Sequence, residues 1–313
     1  MNKLYILIIF LFSIIAVKLN AQQIPLLTQY TNDKFLINSA YAGSSNILNA
    51  TLNIRQQFVG FEKAPSTQYF TLHRPIKRQT MGIGLKINND KLGATNILNT
   101  LAVYSYHIGL GNGKLSMGIE GGIYNYSVNF GSLIVADKEY DNSIPQNIDS
   151  KTYPDASFGL FYKVETLYAG YSVQHLIKSN SINEDNSSDY QHFYKHHYLV
   201  FGNQFELDKE INIEPYILLK KTRSCPMQVD IAAKYNYKKM FSAGLLYRSG
   251  DALALLLCVG NKEGTYRIGY SYDFTLSKLA SYSKGAHEIM LIYNIKLLPT
   301  AGLKELNPII YTR

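Results

Sequence analysis

From about residue 48 to residue 297, apolar and polar residues alternate with a period of two, stretch after stretch. Met81, Ile83, Leu85 and Ile87 alternate with Gly82, Gly84, Lys86 and Asn88. Leu115, Met117 and Ile119 alternate with Ser116, Gly118 and Glu120. Val229, Ile231, Ala233 and Tyr235 alternate with Asp230, Ala232 and Lys234. Tyr266, Ile268, Tyr270, Tyr272 and Phe274 alternate with Arg267, Gly269, Ser271 and Asp273. Successive strand side chains point to opposite faces, so each stretch has one apolar and one polar face. No segment beyond the N-terminus shows a helical period.

The pattern predicts strands at 48–58, 67–74, 80–89, 97–108, 114–128, 155–164, 166–175, 196–206, 210–220, 227–236, 240–248, 252–260, 265–274 and 286–297. Each is near the roughly 9 to 11 residues that a tilted membrane-crossing strand requires. Pro215 falls inside one of them and predicts a bulge or a weak pairing there. The long connections, 129–154, 176–195 and 275–285, all fall at one end of the strands. Tight turns such as Gly109–Gly113, Glu165, Leu207–Lys209, Tyr237–Lys239 and Asn261–Gly264 fall at the other. Membrane barrels segregate short periplasmic turns from longer external loops in this way, and a soluble sandwich has no reason to. The expected fold is all-β: a transmembrane antiparallel barrel of about fourteen strands over 47–297.

Composition agrees. Charged residues are 17% of the chain, below the roughly 25% of soluble domains. There are 26 Tyr and no Trp, and the mean hydropathy of −0.10 does not suit a bundle of membrane helices. With the apolar face on lipid, the lumen carries Arg55, Lys86, Glu120, Glu214, Asp230, Lys234, Arg248, Arg267, Glu288 and Lys296. Mixed signs in one interior predict paired charges that narrow or close it.

Lys3, the apolar run Leu4–Val17 and the small residue Ala21 read as a secretory signal peptide over 1–21, with the mature chain starting near Gln22. Cys225 and Cys258 are placed at opposite ends of the barrel and are expected as free thiols. The formal charge of +8 falls to +6 without Lys3 and Lys18. Its Lys and Arg residues are scattered, which favours acidic lipid head groups as the attraction and excludes nucleic acid as a partner. The segments 22–46 and 298–313 flank the strands. Both are expected outside the barrel on the periplasmic side, either as partner contacts or as plugs of its mouth.

The flanking and joining residues resemble the PorP/SprF family of the type IX secretion and gliding machinery of Bacteroidetes. Gln29-Tyr30 followed by Asn38-Ser39-Ala40-Tyr41-Ala42-Gly43 is similar to that family's Gln-Tyr pair and Asn-Pro-Ala-Tyr-Ala-Gly. Arg55-Gln56-Gln57-Phe58-Val59-Gly60-Phe61, then Ala64-Pro65 and Thr67, is a second match, with Phe58 where the family has Trp. Asn89–Gly93, Tyr153-Pro154-Asp155 with Gly159 and Tyr162, and Gly285–Glu288 follow in order. Ser39 and Phe58 depart from the pattern. The resemblance spans nearly the whole chain. It implies an outer-membrane component of type IX export that serves surface attachment of an adhesin or a link to periplasmic ring and lipoprotein components. A diffusion channel or uptake barrel is the alternative. The candidate partner or plug contacts are Gln29, Tyr30, Asn38, Tyr41, Gly43 and Arg55.

Nothing in the sequence asks for catalysis, a metal or a cofactor. His196 and His197 are strand neighbours and face opposite ways. Asn183–Asp189 is acidic but lacks the glycine and final glutamate of a calcium loop. His287 and Glu288 also face opposite ways, and no Gly-x-Ser-x-Gly elbow exists. Gly109–Lys114 reads as a hairpin turn, not a phosphate loop.

Overall fold

The alternating stretches form strands in a computed structural model of the chain, described for residues 25–76, 80–132, 148–177, 194–223, 225–238 and 240–297. The expected signal peptide 1–21, the tail 298–313 and the acidic stretch 183–189 lie outside the described residues. In chain order the strands are β1 (Ile47–Gln56), β2 (Ser66–Ile76), β3 (Met81–Leu92), β4 (Thr95–Leu110), β5 (Gly113–Asn129), β6 (Ile148–Val164), β7 (Leu167–Gln174) and β8 (His196–Gly202). They continue as β9 (Phe205–Asp208), β10 (Ile211–Thr222), β11 (Gln228–Tyr237), β12 (Phe241–Arg248), β13 (Ala252–Gly260), β14 (Tyr266–Thr275) and β15 (Ala286–Lys296).

Apart from β8 with β9, each strand pairs antiparallel with the next in sequence, and β1 closes the ring on β15 from Ile47↔Lys296 to Gln56↔His287. β8 and β9 both pair with β10 and are two halves of one stave, so the ring has the expected fourteen staves. The break between them explains Pro215. Asn203 N–H donates to Pro215 O at 3.1 Å, which places the proline's missing N–H on the same side. The partner strand is interrupted at that point, so no ladder bond is forfeited.

The sixth stave differs from expectation. It starts at Ile148, not at residue 155, and Pro154 lies inside it opposite Ile123. β7 pairs with β6 only over Phe158–Val164. Among the described residues no strand pairs with that edge of β6 at Pro154, and an unpaired edge tolerates a residue without a donor.

Burial follows the alternation with the usual polarity reversed. Ile119, Ile231, Leu245, Val259 and Ile268 are more than half exposed on the outer face. Glu120, Asp230, Lys234, Arg248 and Glu288 are buried inside. Of the expected lumen charges, Arg267 is half-buried and Lys296 is exposed. No helix is long and apolar enough to cross a membrane among the described residues. The connections after Asn129, Gln174 and Thr275 share one end, the long-loop end, with the loop after Gln56. The turns after Leu110, Val164, Asp208, Tyr237 and Gly260 share the short-turn end.

Candidate functional site

Residues 25–43 do not lie outside the barrel. They run through its lumen as three short 3-10 turns, Gln29–Thr31, Lys34–Leu36 and Ser39–Tyr41. The physical reason is the polarity of the wall. Ion pairs alone cannot fill a fourteen-stave interior, and this segment supplies both apolar bulk and backbone donors. Thr28 binds Asp273 and Glu288 near the long-loop ends of β14 and β15. Gly43 meets Pro75 and Gly82 at the short-turn ends of β2 and β3. The segment therefore descends the length of the lumen before it turns into β1.

Its apolar side chains meet an unusual part of the wall. Leu27, Tyr30, Leu36, Ile37 and Ala40 pack with Tyr216, Leu218, Leu246, Leu256 and Met290 in one buried cluster. This accounts for Ala252–Val259, which is apolar on both faces: one face meets lipid, the other meets the plug. Phe35 is fully buried between Gly84, His73 and the ammonium of Lys86, 4.6 Å from its ring centroid. Burying a side chain of that size stabilises by about 1.5 to 3 kcal/mol.

A charged seat grips the upper part. Glu288 accepts from the N–H groups of Thr28 (2.8 Å) and Gln29 (3.0 Å) and pairs with Arg55 at 2.9 Å. Arg55 also reaches Asp273 at 2.8 Å, and Asp273 accepts from the Thr28 hydroxyl. Arg248 donates to Leu27 O at 2.9 Å and contacts Asp273 and Asp230 at 3.2 and 3.4 Å. Asp230 accepts from the Tyr30 hydroxyl at 2.9 Å and pairs with Lys220 at 2.8 Å. Burial raises the Tyr30 pKa, and Asp230 raises it further, so the phenol stays a donor. Lower down, Lys34 pairs with Glu214 at 2.9 Å. Burial would lower the Lys34 pKa, but Glu214 together with Tyr168 and Tyr41 outweighs it and the net shift is upward. Lys234 joins Glu214 at 3.2 Å and donates to Thr31 O.

Asn38 fastens the middle. Its side-chain oxygen accepts from Ala40 N–H at 2.9 Å, capping the third turn. Its amide nitrogen donates to Leu160 O at 2.9 Å and Tyr171 O at 3.2 Å, on two adjacent staves. Glycines in the wall make room. A Cβ at Gly159 would strike Asn38, one at Gly118 would strike Ser39 and Ala40, and one at Gly82 would strike Ala42. Gly43 has φ +65°, a conformation natural to glycine, and lies against the Gly82 backbone. Gly118→Leu is expected to expel the third turn while leaving the ladder intact, because the side chain points into the lumen. Protease access to residues 38–42 in the folded barrel checks this; full protection would contradict it.

All six candidate contacts lie in the segment 25–43 or in the wall that holds it. Gln29 packs on Gly269, Tyr30 on Asp230, Asn38 on β6 and β7, Tyr41 against Phe161 at 5.4 Å, Gly43 on β2 and β3, and Arg55 on the seat. Tyr41 is half-buried and the other five are buried. Asp273, Asp33, Lys34 and Lys220 are further members that sequence reading did not single out. Asp33 caps the second turn through Phe35 N–H and accepts from Thr71. His287 and Glu288 do face opposite ways: the imidazole bonds Tyr270 on the outer face at 2.8 Å, while Glu288 is buried in the seat. Cys225 and Cys258 are buried and are not bonded to each other. Among the described residues no three His, Cys, Asp or Glu side chains gather as a metal site.

A closed ring of strands with an apolar exterior and a lumen filled by its own N-terminal segment is a plugged transmembrane β-barrel. The chain belongs to the PorP/SprF family of type IX secretion system membrane proteins, whose model matches residues 19–293. No curated protein matches it. Among solved structures it is similar to the Ralstonia pickettii toluene transporter TbuX, at 10% identity and TM-score 0.53, over 84% of this chain and 93% of that one. It is also similar to the monoaromatic hydrocarbon channel CymD, at 10% identity and TM-score 0.51, over 88% and 94%. At such identity the likeness is one of fold.

Proposed function

We propose that the protein is a non-enzymatic outer-membrane component of the type IX export machinery. In this reading it holds a secreted adhesin or other type IX substrate at the surface, or links the outer membrane to the periplasmic ring and its lipoproteins. Family membership over residues 19–293 carries the reading. The filled lumen supports it over the alternative of a diffusion channel, since the plug leaves the barrel as a rigid platform. The long-loop end then faces outward and the short-turn end faces the periplasm, as in other membrane barrels. The signal peptide over 1–21 supplies the export route, and the tail 298–313 is a periplasmic contact. Deleting the gene should abolish surface display of one or a few adhesins while general outer-membrane assembly continues. Normal display of every type IX substrate in the deletion strain would rule the reading out.

A further inference from the structure

The lysines and arginines that grip the plug are each answered by a carboxylate. Three cations at the long-loop mouth have none among the described residues. Lys195, Lys221 and Arg223 line a cavity of about 430 Å³ together with His197 and Thr222, a size within the roughly 300 to 1,000 Å³ of ligand pockets. No carboxylate lines it among the described residues. None of the three forms an ion pair among the described residues. Lys221 donates to the neutral carbonyl of Cys225 at 2.9 Å, which supplies no opposing charge. Thr222 is 5% exposed, and its hydroxyl is buried without a hydrogen-bond partner. Thr222 lines the cationic cavity, and its hydroxyl is short of one partner. His197, Lys221 and Thr222 also line the adjoining smaller cavity, which reaches down to Leu27 and Tyr30 of the plug.

We propose that this cavity binds the carboxylate side chains of an acidic peptide segment presented at the mouth of the barrel. It rests on the reading above that the long-loop end faces outward and that the cargo is a protein. The guanidinium of Arg223 can grip a carboxylate with two parallel bonds, and the two ammonium groups add charge-assisted donors. The Thr222 hydroxyl offers a further donor. A peptide fits better than an acidic saccharide, because sugar rings seek aromatic faces and Tyr194 is the one Tyr, Phe or Trp in the lining among the described residues. A short flexible Asp or Glu side chain can reach into the cavity while its backbone stays at the rim.

The test uses the purified full chain in detergent and fluorescence anisotropy of a labelled peptide of alternating Glu and Ser. Its Gln-Ser counterpart and labelled oligogalacturonate serve as comparisons. The Glu-Ser peptide should bind, and more weakly as salt is raised. Lys221→Gln with Arg223→Gln should weaken it about tenfold or more, the loss of one or two charge-assisted bonds. Lys238→Gln, at the short-turn end, should leave binding unchanged, and Lys221→Arg should restore it beside an intact Arg223. Heat-shifted gel migration confirms that each variant is a folded barrel. Equal binding of the Glu-Ser and Gln-Ser peptides, full retention in the double variant, or tighter binding of oligogalacturonate would overturn the proposal. So would a gain in affinity when Glu184, Asp185 and Asp189 are changed to their amides, for then the cavity serves the chain's own carboxylates. Binding reads the cavity and the deletion phenotype reads the export role, so either can fail without the other.

Discussion

Arg248→Met is expected to destabilise the barrel by about 3 to 5 kcal/mol, the cost of removing one partner from a buried ion network. Arg248 is fully buried and touches Asp230, Asp251 and Asp273, as well as the carbonyl of Leu27. Methionine has similar bulk, so the change strips charge and donors more than packing. Asp273 keeps Arg55 and Asp230 keeps Lys220, but both lose a cation in a dry setting. The plug also loses its grip at Leu27 and Thr28. The fall should appear as a lower urea midpoint in lipid vesicles and as intermittent current in a planar bilayer. A variant as stable and as silent as the parent would show that the network does not hold the plug. The conservative Arg248→Lys should fall between the two, because an ammonium cannot reproduce the guanidinium fork.

Ile231→Arg is expected to cost about 2 to 4 kcal/mol, the price of a cation on a lipid face near mid-membrane. Ile231 is half exposed on the outer face of β11, between the buried Asp230 and Ala232. The defect should show as slower or incomplete insertion into vesicles. Glu120→Gln, on the inner face, should be milder, since Glu120 loses one ion pair with Lys86 while its shape is kept. Equal tolerance at the two positions would reverse the assignment of inside and outside.

The barrel was legible because its signal is local and repeated. Ile231 and Asp230 differ by one position and by one face, and this relation recurs in stave after stave. The parity of long and short connections added the closure and the even count. Stave ends were less legible. Pro154 reads as a boundary, and only the short reach of β7 shows why the strand continues through it. Pro215 was legible as a fault, and the break after Gly202 is its physical counterpart.

The plug was not legible as a plug. Residues 25–43 have no period, and their contacts are remote in sequence: Thr28 meets Glu288, Tyr30 meets Asp230, Lys34 meets Glu214. Two signals pointed to it all the same. Gly82, Gly84, Gly118, Gly159 and Gly269 share the lumen-facing side, where a barrel open to water has no need of bare backbone. Ala252–Val259 is apolar on both faces, which a water-filled lumen would not favour. Both features make sense once another piece of chain packs against them. Arg55 and Glu288 are direct cross-strand partners, but that pairing requires the closure of β1 on β15 to be known first.

Single-channel recording in a planar bilayer tests the plugged barrel most directly, with the intact protein beside a variant lacking residues 25–43. The intact protein should be silent, and the shortened one, if it inserts as a heat-modifiable barrel, should pass a large steady current. A large stable conductance from the intact protein would contradict the closed lumen and favour a diffusion channel.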